Sequence, residues 1–145
     1  MNTKIQILLG QVHAHQHPTV RVSVDDHTQN LTIDCDTWVT FDLNLPKDKQ
    51  LTLAVEYYGK TIQDCIPEKN LDTAILIKDI RLNGISNEKF IWNGIYRPVY
   101  PDYYEPKTAE LYNITYLGFN GVWSLELTVP LYAWMHKTLG FGWTY

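Results

Sequence analysis

The sequence predicts an all-β protein, an antiparallel β-sandwich of the jelly-roll kind with about eight to ten strands and one short C-terminal helix. Three observations predict it. Apolar residues recur with a period of two in one run after another, the mark of half-buried strands. Turn-forming dipeptides and prolines interrupt these runs at short intervals. Strand-like and helix-like segments do not alternate, and no unit repeats at a fixed period, which argues against a parallel βαβ arrangement. Strands with one apolar face need a second sheet to cover that face, so a sandwich follows.

In order along the chain, residues 4–9 form a first strand with Ile5, Ile7 and Leu9 on one face. Residues 11–17 read as a polar connection. The strand at 19–25 turns Val20, Val22 and Val24 inward and Arg21 and Ser23 outward. Residues 25–30, Asp-Asp-His-Thr-Gln-Asn, have the composition of a turn. From 31 to 45 the odd positions Leu31, Ile33, Cys35, Val39, Phe41, Leu43 and Leu45 are apolar. That run is long for one strand, so it divides or bends near 36–38. A turn at 46–50 leads into 51–58, where Leu51, Leu53, Val55 and Tyr57 alternate with Thr52, Ala54, Glu56 and Tyr58. After a loop carrying Asp64, Glu68 and Asp72, a strand holds Ile75 and Ile77, then Ile80 and Leu82. The apolar phase slips by one residue at Lys78-Asp79, as a β-bulge requires. Asn83-Gly84 is a tight-turn signal. Residues 90–100 suggest another strand. Pro98, Pro101 and Pro106 then enforce irregular chain. Strands at 111–117 and 122–129 flank Gly118-Phe-Asn-Gly121 as a hairpin, with Trp123, Leu125, Leu127 and Val129 on the buried face. Pro130 stops the last strand. Residues 131–139 form a short helix, with Gly140 as its stop.

The length of 145 residues suits one domain over 1–145. A Tyr/Pro-rich irregular insertion occupies 86–110, and a C-terminal helix with an aromatic tail occupies 130–145. The net charge of −4 is scattered, with no basic tract to serve nucleic acid. No apolar run approaches a membrane span. The N-terminus lacks the apolar segment and small-residue cleavage site of a signal peptide, so synthesis in the cytoplasm is expected. Cys35 and Cys65 are too few for a disulfide scaffold and are expected as buried free thiols. Asn30-Leu-Thr and Asn113-Ile-Thr match the glycosylation pattern but overlap strands. The chain has five Trp, ten Tyr and four Phe. Four of these lie in 90–100 and eleven at or after Tyr103, more than a core alone requires.

The strand, the Asp-bearing loop and the run I-x-I-x-x-I-x-L-N-G ending at Gly84 resemble the later strands of jelly-roll carbohydrate-binding modules. The likeness is greatest to the small calcium-dependent xylan-binding kind. It covers residues 4–85 loosely and 51–85 best. It implies calcium held by loop carboxylates, here Asp64 and Asp72, and presented to sugar hydroxyls. The long Tyr-rich segment after Gly84 departs from that pattern. No metal is required on other grounds, because no loop has EF-hand spacing. The series His13, His15, His17 places imidazoles about 7 Å apart per step on an extended strand. That is too far for one zinc to take all three, and a pH-sensitive contact is the alternative.

Catalysis is not expected. The carboxylates sit in turns and on polar strand faces rather than as an acid–base pair. No nucleophile–base arrangement or phosphate-binding glycine loop is present. Exposed aromatics stack on sugar faces or protein surfaces. By alternation Trp38 opposes Val39 and Phe41, and Tyr58 opposes Tyr57, while Tyr103 and Tyr104 lie in the Pro-interrupted segment. These four are the ligand-stacking candidates, with a secondary core under a long loop as the other account. The C-terminal stretch YLGFNGVWSLELTVPLYAWMHKTLGFGWTY resembles small accessory proteins of tailed bacteriophages. That resemblance implies a virion component (capsid decoration, neck or fibre module) that is assembly-bound or oligomeric and partnered by other virion subunits. The alternative is a glycan-binding module, free-standing or appended to an enzyme, with a cell-surface glycan among its ligands. Trp134, Phe141, Trp143 and Tyr145 are the candidate partner-binding residues. The last three share one side of an extended tail.

Overall fold

The first strand, β1 (Asn2–Val12), is longer than the sequence suggests and lies at the centre of one sheet. We describe it in a computed structural model covering residues 1–105 and 107–140. Its inward side chains Thr3, Ile5, Ile7 and Leu9 are buried. It pairs antiparallel with β4 (Thr37–Asn44) on one side and β6 (Ala74–Leu82) on the other. The phase slip is a real bulge. Leu8 opposes Asp79 and Leu9 opposes Ile77, so Lys78 is the extra residue. Ile80 and Leu82 thereby return to the core. Asn83 and Gly84 both have positive φ (49° and 82°), as a two-residue turn between Leu82 and Ile85 demands. The turn leads to β7 (Ile85–Ser86).

The second sheet runs β3 (His27–Thr32), β2 (Thr19–Val24), β5 (Gln50–Tyr58), β11 (Gly121–Thr128), β8 (Ile95–Pro98), β9 (Leu111–Tyr112). Every pairing in both sheets is antiparallel. Val20, Val22, Val24, Leu53, Val55, Trp123 and Leu125 from this sheet meet Ile5, Ile7, Leu9, Ile75 and Ile80 from the first in one core. The expected β-sandwich is present, with α2 (Leu131–Leu139) as its C-terminal helix and Gly140 closing it at φ 68°. Among the described residues no helix is long and apolar enough to cross a membrane.

Four local expectations are corrected. Residues 27–30 are strand rather than turn. Val24 opposes His27, which confines the turn to Asp25-Asp26, with Asp25 at φ 51°. Residues 89–92 form the helical turn α1 (Lys89–Trp92), not strand. Phe90 and Ile91 are adjacent and both buried, which a strand facing one sheet does not allow. The run 111–117 divides into β9 in the second sheet and β10 (Tyr116–Leu117) in the first. Gly118–Gly121 is therefore a crossing between sheets, not a hairpin. The Tyr96 hydroxyl donates to the Phe119 carbonyl and accepts from the Phe119 amide (3.0 Å), tying the crossing to β8. Gly121, at φ 151°, passes where a Cβ would lie 2.5 Å from the Arg97 carbonyl oxygen. Finally, Cys35 and Cys65 are free but exposed, because both sit in polar connections rather than on strand faces.

Candidate ligand-binding site

The crossing at 118–120 brings together three connections: 59–73 after β5, 99–104 after β8, and 118–120 itself. Lys60 joins them. Its backbone amide donates to Asn120 Oδ1 (2.9 Å), and its carbonyl accepts from Asn120 Nδ2 (3.1 Å). Its side chain is only 13% exposed. The ammonium donates to Asp72 Oδ1 (2.7 Å), the Thr73 carbonyl (2.8 Å) and the Gly118 carbonyl (2.6 Å). It also lies 5.9 Å from the centroid of the Phe119 ring.

Asp72 accepts a second hydrogen bond, from the Tyr116 hydroxyl to Oδ2 (2.6 Å). Burial pushes the Asp72 carboxyl upward. The hydrogen bonds from Lys60 and Tyr116, the Lys60 charge and the Thr73 amide together outweigh burial and hold it below its ordinary value. Burial, then the bond to Asp72 and its charge, push the Tyr116 phenol up. Burial and the nearby Asp64 and Asp72 do the same for Tyr57, whose hydroxyl donates to the Thr73 carbonyl (3.3 Å). Both phenols thus stay protonated donors at neutral pH.

Beside this polar cluster stands an aromatic one. Tyr100 and Tyr104 stack with centroids 5.1 Å apart and planes 3° from parallel. The Phe119 ring meets both edge-on, at 5.1 Å and 4.8 Å. Tyr103 stands out at 77% exposure. The donors of Lys60, Tyr116 and Tyr57 are spent within the protein, so the aromatic rings are what this end offers to the apolar C–H faces of a polyhydroxylated ligand.

The residues singled out from sequence do not all converge here. Tyr104 and Asp72 belong to the two clusters. Trp38 is on the outer face of β4 with the Arg81 guanidinium 4.4 Å from its ring centre. Tyr58 is on the outer face of the opposite sheet, where Arg21 lies 5.3 Å from its ring centre. Trp134, expected to face a partner, is 8% exposed and packs on Phe90 in the core at 6.1 Å. Its place on the inner side of α2 accounts for that. Phe141, Trp143 and Tyr145 lie outside the described residues, as does Pro106. His13 and His17 have ring centroids 4.3 Å apart, so this segment bends rather than running straight. Among the described residues no group of three or more His, Cys, Asp or Glu side chains could hold a metal ion. Sequence reasoning missed Lys60, Tyr100, Tyr116 and Phe119.

Asp64 and Asp72 fit calcium poorly in this arrangement. Calcium seeks six to eight oxygens. Both Asp72 oxygens are taken by protein donors. Asp64 is buried, and its Oδ2 accepts from the Thr61 amide (2.8 Å) and hydroxyl (3.1 Å). Of the four oxygens of these two carboxylates, Asp64 Oδ1 alone has no hydrogen-bond partner among the described residues.

The chain is similar to the selenomethionine form of vCBM60, from work on two families of calcium-dependent carbohydrate-binding modules. The TM-score is 0.56 and the identity 14%, over 85% of this chain and 89% of that one. It is equally similar to vCBM60 in complex with galactobiose, at TM-score 0.56 and 14% identity, over 84% and 96% of the two chains. The chain shares the β-sandwich fold of vCBM60. No family model and no curated protein matches the sequence. Neither structure bears on the virion role expected from the C-terminal stretch.

Proposed function

We propose that the protein is a non-catalytic glycan-binding module whose ligand site is the sandwich end built by Lys60, Asp72, Tyr100, Tyr104, Tyr116 and Phe119. One observation carries the reading. Lys60 contacts both clusters, so a platform of aromatic rings and a set of oriented polar groups are held in one rigid frame. The module fold, and galactobiose on a protein of like fold, support sugar as the ligand class. A pair of carboxylates set to cleave a glycosidic bond is not what this end offers. Its one carboxylate with resolved partners on both oxygens, Asp72, is tied to Lys60 and Tyr116.

A glycan array probed with the wild-type chain and with Tyr104→Ala tests this. The reading expects a restricted set of oligosaccharides bound by the wild type. Removing Tyr104 should weaken binding about 5–150-fold, since stacked aromatics supply roughly 1–3 kcal/mol where a planar face is recognised. A blank array with folded protein, or equal binding by both proteins, contradicts it.

A further inference from the structure

We infer that Lys60 is the resident cation of this site, occupying with its ammonium the oxygens a metal ion would otherwise take, so that ligand recognition here runs without calcium. The ligand part rests on the glycan-binding reading; the cation part stands on geometry alone. An ammonium has three N–H donors, and Lys60 spends all three, at 2.6–2.8 Å, on one carboxylate and two backbone carbonyls. These are hard oxygen ligands of the kind calcium selects. They come from both sides of the junction: Asp72 and Thr73 from the loop before β6, Gly118 from the crossing. The ammonium therefore bridges connections that a bound cation could equally bridge.

The position is built rather than incidental. The Lys60 backbone is clamped at both its amide and its carbonyl by the Asn120 side chain. The side chain is largely buried, and the Phe119 ring faces the ammonium. The ammonium pairs directly with the Asp72 carboxylate at 2.7 Å. A divalent ion at Asp72 would have to displace that ammonium and the Tyr116 hydroxyl. Long-chain Lys thus does covalently what a diffusible ion does elsewhere, with no dependence on solution calcium.

Thermal unfolding of the full chain, in chelator and in millimolar calcium chloride, tests the proposal without any glycan. The wild-type melting temperature should be the same in both. Lys60→Met should melt several degrees lower, because it leaves the three oxygens without a cation. Lys60→Ala should melt low as well and regain part of the loss in calcium chloride or ethylammonium chloride, with no such gain in Lys60→Met, whose side chain fills the space. A wild-type melting temperature that rises saturably with calcium overturns the proposal, whether or not either variant folds. So does a Lys60→Met protein as stable as the wild type. The two readings fail separately. Glycan binding that requires calcium would remove this inference and leave the proposed function. A calcium-indifferent wild type with a cation-rescued Lys60→Ala but a blank array would do the reverse.

Discussion

Asp72 accepts from an ammonium and a phenol at once, and that pairing sets its response to acid. Its folded pKa lies below the ordinary 3.8. A carboxylate with a depressed folded pKa contributes stability that is fully present above the unfolded value. The contribution is lost as pH falls through the folded one. Asp72→Asn should therefore cost stability at pH 7, about 1 kcal/mol after allowance for solvent screening of this partly exposed pair. The difference from the wild type should vanish in strong acid. Denaturant unfolding of both proteins at neutral and acid pH checks it, and a pH-independent difference would show that the carboxylate charge is not what matters. Asp72 could be picked out by residue type and resemblance. Lys60 could not. An isolated Lys after Gly59 reads as a solvated turn residue, and only the fold shows that three carbonyl and carboxylate oxygens converge on it.

At the scale of elements, legibility followed the hydrophobic pattern. β2, β5, β6 with its bulge, β11 and α2 each bury one face against a large core, so their periods are written in the chain. β3 has a single apolar residue, Leu31, only partly buried against the core, and is otherwise polar, an edge strand held mainly by the hydrogen-bonding groups of β2. β9 and β10 are two residues each. No period can be read from two residues, and their sheets are chosen by distant partners. The crossing at Gly118–Gly121 is unreadable for the same reason: beyond Gly121, its direction depends on the bonds of Phe119 to Tyr96 and of Asn120 to Lys60. Burial raises the Tyr96 phenol to about 12, so it remains a donor throughout the ordinary pH range. Tyr96→Phe keeps the ring and removes that anchor. It should lower stability by about 1–2 kcal/mol and speed amide exchange at Phe119, with the centre of β11 unaffected. Unchanged exchange at Phe119 would mean the crossing is held by something other than the hydroxyl.

The whole molecule places a rigid two-sheet core behind a site made from three connections far apart in sequence. That division explains why fold class was readable and the site largely was not. A sandwich announces itself in every strand, whereas Lys60, Tyr104 and Phe119 become neighbours only once the chain has closed. It also separates the exposed aromatics into unequal classes. Trp38 and Tyr58 each lie under an arginine on opposite outer faces, while Tyr100, Tyr104 and Phe119 form a continuous cluster beside polar groups. The most direct measurement is a two-dimensional NMR titration of isotope-labelled protein, in chelator, with galactobiose and with any array-positive oligosaccharide. The account predicts saturable shifts confined to 60–73, 100–104 and 116–120. Shifts centred on Trp38 or Tyr58, or saturable binding that leaves those three connections untouched, would contradict it.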